Sequence, residues 1–419
     1  MNIRHFSRSI SQAVLLALVV VAFGATTPAQ DVGDLGGGSG VFRPKNPETT
    51  SRRRNTTSRP GPRTPATRTP ATPRRTAAPT PDETEHVEDA LDEGNEARDA
   101  RKYAQAEQAY RKALQLNPRE WRASYGLGNV YTDQQRWEES EKYYRQAVAS
   151  DQQNADLHIA LSYVLVQPRS GGAGARRLAE AESSARRAIQ LQETNAIAHD
   201  RLGVALEARG LAVSDTEAAY RRAIELDPQF ALAQVHLARL LRSNSRASEA
   251  EPYFRRAIEL AQQDAPTLVL IADVLQSQQR WADSEPVLRR ALELDARYPG
   301  ALFFMGRLMV IQKKYDEAER LLLSVIEISP RSFAPYSVLG SAYLRSNRLE
   351  DAEKIYNRAV EIASAGDRKG LAGAFGFGGI GDEYMKAGRQ TDAARAYQRA
   401  LQLDPTNADL QAKLARAKG

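Results

Sequence analysis

The 419-residue sequence contains no cysteine. That excludes disulfides, thiolate zinc sites, cysteine nucleophiles and cysteine-linked lipid anchors. It leaves the redox compartment open, because a cysteine-free chain survives in either. Histidine is scarce, at five residues: His5, His86, His158, His199 and His236. No H-E-x-x-H, P-loop, G-x-S-x-G or EF-hand pattern occurs. His158 and His199 fall at equivalent apolar positions of a repeating pattern, as half-buried helix residues rather than ligands. Strand candidates are lacking throughout. Carboxylates are plentiful, but Glu with Lys or Arg at helical spacing reads as solvated i,i+4 partners. No catalytic constellation emerges. The expectation is a protein that is not an enzyme, with no metal and no cofactor.

One glycine motif asks for a closer look. GFGGIG, Gly376 to Gly381, has the G-x-G-x-x-G form of dinucleotide-binding loops. That fingerprint works only after a buried strand. Here DRKGLAGAFG precedes it, which reads as a loop, and Gly381 takes the small-residue position of a helix. The nucleotide reading is set aside. Each further glycine costs a helix about 1 kcal/mol relative to alanine, and the sequence alone offers no reason for them.

The net positive charge belongs to one stretch. The net charge is +6 overall, but residues 41–75 carry ten basic side chains and one acidic, a net +9, and residues 1–40 balance. The remainder is 6 − 9 = −3. The high pI therefore belongs to a tail and does not indicate a nucleic-acid-binding domain.

The first ninety residues contain little that could form a core. Residues 1–29 read as a secretory signal, with Arg4 and Arg8, a short apolar run from Ala13 to Ala25, and Thr27 and Ala29 placed for cleavage before Gln30. The rival is an uncleaved membrane anchor, since no charge lies between Arg8 and Asp31. The shortness of the apolar run favours cleavage. Both send the chain out of the cytoplasm, to the periplasm or beyond, held at the inner membrane if uncleaved. Residues 30–86 are Gly-rich, then Arg/Thr/Pro-rich, and read as a disordered linker. Thr-Pro steps keep such a chain extended. Arg52, Arg53, Arg54, Arg74 and Arg75 suit contact with a polyanion, whether anionic lipid, wall polymer or nucleic acid, but such charge runs more often serve a solvated spacer, which is the reading preferred.

From residue 87 the chain repeats itself. In YAQAEQAYRKALQLNP, Ala106, Tyr110 and Ala113 share one helix face and Pro118 stops the helix. The pattern returns as Tyr220, Ala223, Pro228; as Ala250, Phe254, Ala257; as Ala352, Tyr356, Ala359; and as Ala393, Tyr397, Ala400, Pro405. Before each lies a second helical stretch, carrying Leu127, Gly128, Tyr131, or Met305, Gly306, Met309, or Leu339, Gly340, Tyr343. The period is 34 residues. Nine units start at 87, 121, 155, 196, 231, 265, 299, 333 and 374. QPRSGGAGARR (167–177) and DRKGLAG (367–373) read as longer loops. ADLQAKLARAKG (408–419) fits a capping helix, with Leu410 and Leu414 facing the last repeat and Lys413 in solvent.

This pattern resembles the tetratricopeptide (TPR) repeat, W-x2-L-G-x2-Y, then A-x3-F, then P. The resemblance implies an all-α, right-handed α-solenoid over residues 87–407. It also implies a groove lined by the first helix of each repeat, which holds a partner peptide or helix. Projecting the period gives Asn95, Tyr125, Asn129 and Tyr163 early on. Later come Arg239, Arg242, Asp273, Phe303, Arg307 and Arg345. Arg and aromatic side chains commonly anchor interfaces. Chaperone-tail binders of the family use a Lys/Asn clamp. Asn95 matches one asparagine, but Leu91 replaces the lysine and Gly126 the second asparagine, which argues against that ligand.

The function expected is a non-catalytic protein-interaction scaffold of the cell envelope, serving assembly or secretion of a multiprotein complex. The alternative is a surface-tethering protein whose residues 41–75 bind anionic lipid or wall polymer. No specific nucleic-acid partner is expected.

Overall fold

The computed structural model describes residues 45–49, 81–167 and 174–419. The signal segment, most of the linker and its arginine clusters lie outside the described residues. Among the described residues there are twenty helices and no strand.

The chain divides into two compact units, one formed by Phe42–Gln167 with Gly171–Thr216, the other carrying Glu217–Gly419. In the first unit the helices are α1 (Pro81–Asp99), α2 (Tyr103–Leu116), α3 (Trp121–Asp133), α4 (Trp137–Ser150), α5 (Ala155–Leu165), α6 (Ala175–Leu191) and α7 (Ala196–Ala208). The second contains most of α8 (Val213–Leu226), then α9 (Ala231–Ser243), α10 (Ala247–Leu260), α11 (Ala265–Ser277) and α12 (Trp281–Leu294). It continues through α13 (Pro299–Ile311), α14 (Tyr315–Ile328), α15 (Phe333–Arg345), α16 (Leu349–Ile362), α17 (Ala365–Leu371), α18 (Phe377–Lys386), α19 (Gln390–Leu403) and α20 (Ala408–Lys418). Within each unit successive helices pair as antiparallel hairpins, α1 with α2, α3 with α4, α11 with α12, and each hairpin stacks on the next.

The hairpin core is built from the repeating small and aromatic residues. Ala106, Tyr110 and Ala113 are fully buried, as are Ala352, Tyr356 and Ala359. In four hairpins a tyrosine ring of the second helix, Tyr110, Tyr144, Tyr356 or Tyr397, lies on a glycine of the first. A methyl at Gly381 would sit 2.5 Å from Tyr397 Cε1. Gly128 and Gly340 face Tyr144 and Tyr356 in the same way. Glycine is therefore retained inside these helices despite its poor propensity, because the ring needs the space a Cβ would take.

Among the described residues, eight hairpin turns are closed by one left-handed residue. Arg101, Gln135, Ser245, Gln279, Lys313 and Asn347 have φ between 56° and 63°, while Gly210 and Gly388 serve two other repeats. The next residue's N–H then bonds five residues back, as in Arg136 to Tyr131 O and Arg348 to Tyr343 O, both at 2.8 Å. An L side chain in this region costs about 1–2 kcal/mol, only part of which glycine returns as unfolded-state entropy. Lys313→Gly, whose side chain is exposed, is thus expected to stabilise the protein by roughly 0.5–1 kcal/mol. Chemical denaturation checks this.

Several details depart from the sequence reading. α1 starts at Pro81 rather than 87, and five residues of the expected disordered linker, 45–49, are docked on the folded unit. DRKGLAG is not a loop: Ala365–Leu371 is a short helix, nucleated by a capping box in which Ser364 and Asp367 satisfy each other's backbone N–H groups. Likewise Ala175–Arg177, expected in a loop, open α6. Lys413 is not free in solvent. Its ammonium pairs with Asp382 (2.9 Å) and Asp409 (3.1 Å), tying α20 to α18.

A ladder of arginines joins successive hairpins of the second unit. Arg246, Arg280, Arg348 and Arg389 each follow a hairpin turn. They reach back to Glu217, Glu251, Glu319 and Glu350 of the preceding hairpin while holding Glu249, Asp283, Asp351 and Asp392 of their own. These pairs hold the Glu217, Glu319 and Glu350 carboxyls below their ordinary range. Each exposed pair contributes only about 0.2–1 kcal/mol, so the ladder orients neighbours more than it stabilises them.

Candidate peptide-binding groove

In the first unit, α1 presents Asp92, Asn95 and Asp99 at i, i+3 and i+7, one helix face. α3 presents Arg122, Tyr125 and Asn129 on the equivalent face. Asn95 and Asn129 are one period apart, 129 − 95 = 34. Each amide is fixed by a tyrosine of its own hairpin. Tyr110 Oη donates to Asn95 Oδ1 at 2.7 Å, and Tyr144 Oη to Asn129 Oδ1 at 2.8 Å. With the oxygen engaged, the Nδ2 of each asparagine is left to donate elsewhere.

Both donate to the same short segment of chain. Asn129 Nδ2 bonds the carbonyl of Lys45 at 2.9 Å, and Asn95 Nδ2 that of Pro47 at 3.0 Å. Between these carbonyls, the Asn46 side chain enters a polar socket. Its Oδ1 accepts from Arg98 Nη1 (2.8 Å) and its Nδ2 donates to Asp99 Oδ2 (2.9 Å). Farther along, Thr49 Oγ1 donates to Asp92 Oδ1, and Arg122 Nη1 to the Glu48 carbonyl at 3.3 Å. Pro47 is buried, whereas Lys45 and Glu48 point to solvent.

The floor of the socket is charged, buried and paired. Arg98 is 1% exposed. Its Nε and Nη2 donate to Asp133 Oδ2 and Oδ1 at 2.8 and 2.9 Å, a bidentate pair between α1 and α3. Burial pulls the Arg98 pKa down, but the Asp133 hydrogen bond and charge hold it above its ordinary value. Arg122 is held similarly, by Glu88 and Glu120. Tyr125 is buried against the Tyr144 ring, centroids 5.8 Å apart, and burial pushes its hydroxyl pKa up. It therefore supports the groove from beneath. Tyr163 is also buried, with the Arg201 guanidinium over its ring.

The later positions fall in the second unit. Arg239, Asp273 and Arg307 occupy the register of Asn95 and Asn129, again 34 residues apart. Burial raises the Asp273 carboxyl against the pull of Arg307 and Arg239, and lowers the Arg307 guanidinium. Arg307 Nε donates to Gln276 Oε1 at 2.9 Å, and its guanidinium lies over the rings of Phe304 (5.1 Å) and Trp281 (5.7 Å). Arg242 is half-buried. Arg345 bonds Ser341 Oγ at 3.3 Å and covers the Phe375 ring. Phe303 is not presented to a partner. It is 2% exposed and packs edge-on against Phe304, because its repeat position faces between helices.

His158 and His199 are turn-closing residues, their Nε2 atoms 3.1 and 3.0 Å from the carbonyls of Gln152 and Glu193. Among the described residues, no group of three or more His, Asp or Glu could hold a metal, and no helix is long and apolar enough to cross a membrane.

Models described as tetratricopeptide repeat match residues 91–155, 213–265, 269–333 and 309–368, and a TPR repeat model matches 381–418. The chain belongs to the tetratricopeptide repeat family. A curated relative, the cellulose synthase operon protein C of Xanthomonas axonopodis pv. citri (strain 306), is 33% identical over 178 residues. These are 42% of this chain but 12% of the relative, so the chain spans a small part of that protein's length. Among solved structures, a thermophilic TPR protein of Thermus thermophilus is 23% identical, with 45% of this chain and 99% of that one covered and a TM-score of 0.40. The Cut9–Hcn1 heterotetramer of the APC/C is similar over 80% of this chain and 62% of that one, at 13% identity and TM-score 0.51. That likeness shows the TPR fold.

Proposed function

We propose that this TPR protein is an exported interaction scaffold that holds protein partners by extended segments in the groove of its first helices. The observation that carries the reading is the matched pair Asn95 and Asn129. Each is oriented by a tyrosine and each holds a main-chain carbonyl. Main-chain hydrogen bonds of this kind give affinity for an extended segment, and pockets for its side chains give specificity. Arg239 and Arg242 provide a second, cationic stretch in the other unit. The signal-like residues 1–29 support export, and export with partner binding would support a place in envelope assembly or secretion. The Arg-rich residues of 41–75 support tethering to anionic lipid or wall polymer as the second reading.

Cross-linking of the full chain in its host tests the scaffold. Asn95→Ala with Asn129→Ala, or Arg239→Ala with Arg242→Ala, is expected to remove at least one cross-linked partner. An unchanged partner set from both variants would overturn the groove reading. Fractionation of the tagged chain into the cytoplasm would overturn export.

A further inference from the structure

We propose that the α1–α3 groove is a receptor for extended peptides containing an Asn-Pro dipeptide, and that Lys45–Thr49 is a copy of this ligand held in cis. This rests on the scaffold reading and names the ligand chemistry of its first groove.

The asparagine of such a peptide is read by its own side chain. Asn46 offers one acceptor and two donors, and the socket answers with Arg98 on the acceptor and Asp99 on a donor. Aspartate would set a carboxylate against Asp99. An aliphatic residue would leave the Arg98 and Asp99 groups that face it without that partner, the kind of mismatch sites reject most strongly. The proline contributes differently. Pro47 is buried, its φ is fixed, and it confines the residue before it to extended backbone. An Asn-Pro peptide therefore loses little entropy on docking. The carbonyls of Lys45 and Pro47, on either side of Asn46, meet the two asparagines. The socket is pre-organised, since Arg98 is already locked by Asp133 and both amides by tyrosines.

Thr49 and α1 are joined by residues 50–80, a tether of 80 − 49 = 31 residues. A tether of this length holds its ligand at an effective concentration on the order of millimolar. A partner's peptide must therefore displace the resident copy, and its apparent affinity falls by the fraction of grooves already filled.

The test uses the full chain and a fluorescein-labelled peptide of residues 41–52, VFRPKNPETTSR, read by anisotropy. Asn46→Ala with Pro47→Gly in the chain vacates the groove without touching a helix; Asn46→Asp provides a second vacated variant. Either is expected to bind the peptide at least tenfold more tightly than the unaltered chain. Asn129→Ala added to a vacated chain, or Asn46→Ala placed in the peptide, should lose at least tenfold. Equal binding by vacated and unaltered chains, no binding to either vacated chain, or indifference to the peptide's asparagine would overturn the proposal. So would a concentration-dependent dimer that dissociates when residues 46 and 47 are changed, since the occupant would then come from a second copy. Peptide binding without groove-dependent partners in cells would leave this proposal standing and sink the scaffold. Groove-dependent partners without peptide binding would do the reverse.

Discussion

Asp133→Ala is expected to destabilise the first hairpins by about 3–5 kcal/mol, the cost of leaving a buried charge without its partner. Arg98 is 1% exposed and gives two of its donors to the Asp133 carboxylate. Removing the carboxylate leaves the guanidinium in a site it cannot leave without breaking α1 from α3. The control is Arg98→Met with Asp133→Leu. Replacing both members by apolar groups of similar volume is expected to recover most of the loss, because the desolvation of two ions disappears with their attraction. Hydrogen exchange in α1–α4 is the measurement of choice, since repeat arrays open locally and a single melting temperature averages over them. A loss below about 1 kcal/mol for Asp133→Ala would mean that Arg98 is wetter than its burial indicates.

The second large effect concerns the glycines that the nucleotide motif brought to notice. Helix propensity alone says that Gly379→Ala should stabilise α18 by about 1 kcal/mol. The packing says otherwise. The end of α17 and the residues after it lie against the backbone of α18, with Gly378 N–H bonding Ala372 O and Gly379 N–H bonding Gly373 O, each at 3.2 Å. A Cβ on Gly379 would overlap the Ala374 carbonyl, and one on Gly376 would lie 2.6 Å from the Leu371 carbonyl carbon. These are backbone atoms, so no rotamer change relieves the overlap. Gly379→Ala and Gly376→Ala are each expected to cost about 1–3 kcal/mol. Gly370→Ala, a few residues earlier in α17, meets nothing within 4 Å and is expected to be neutral or stabilising. Chemical denaturation of the three variants decides between propensity and packing. Stabilisation by Gly379→Ala would show that the α17–α18 contact yields.

The repeat was legible because its burial demand recurs: Tyr110, Tyr144, Tyr356 and Tyr397 each return at one position with a small residue opposite. Asn95 and Asn129 were legible for the same reason, as polar residues on the first-helix face. Their ligand was not. Lys45–Thr49 has no apolar period, and its contacts lie 43 to 84 residues away in sequence. Arg98 and Asp133 were missed because charge at a helix end usually means solvent, and only the packing of α1 on α3 buries them. Phe303 was misjudged by projection, since a repeat position that faces the groove in one hairpin is the neighbour of one that faces the core. The α17 helix hid in a glycine-rich stretch, although Ser364 and Asp367 had the spacing of a capping box. The arginine ladder was present in the sequence as Arg246, Arg280 and Arg348, one residue past each left-handed turn. It went unread because Glu with Lys or Arg at helical spacing already read as solvated partners within one helix.

That ladder has an evolutionary consequence. Arg280 meets Glu251 and Arg348 meets Glu319 with the same bonds, each reaching 29 residues back. These two joints are thus built alike, whereas Lys314 stands at the same place in the α13–α14 hairpin. Loss or duplication of a module bounded by such arginines leaves matching chemistry on both sides of the cut, and the next arginine finds a glutamate waiting. The array can lengthen or shorten by whole modules without reinventing its joints, so its reach can drift between lineages while its packing stays the same.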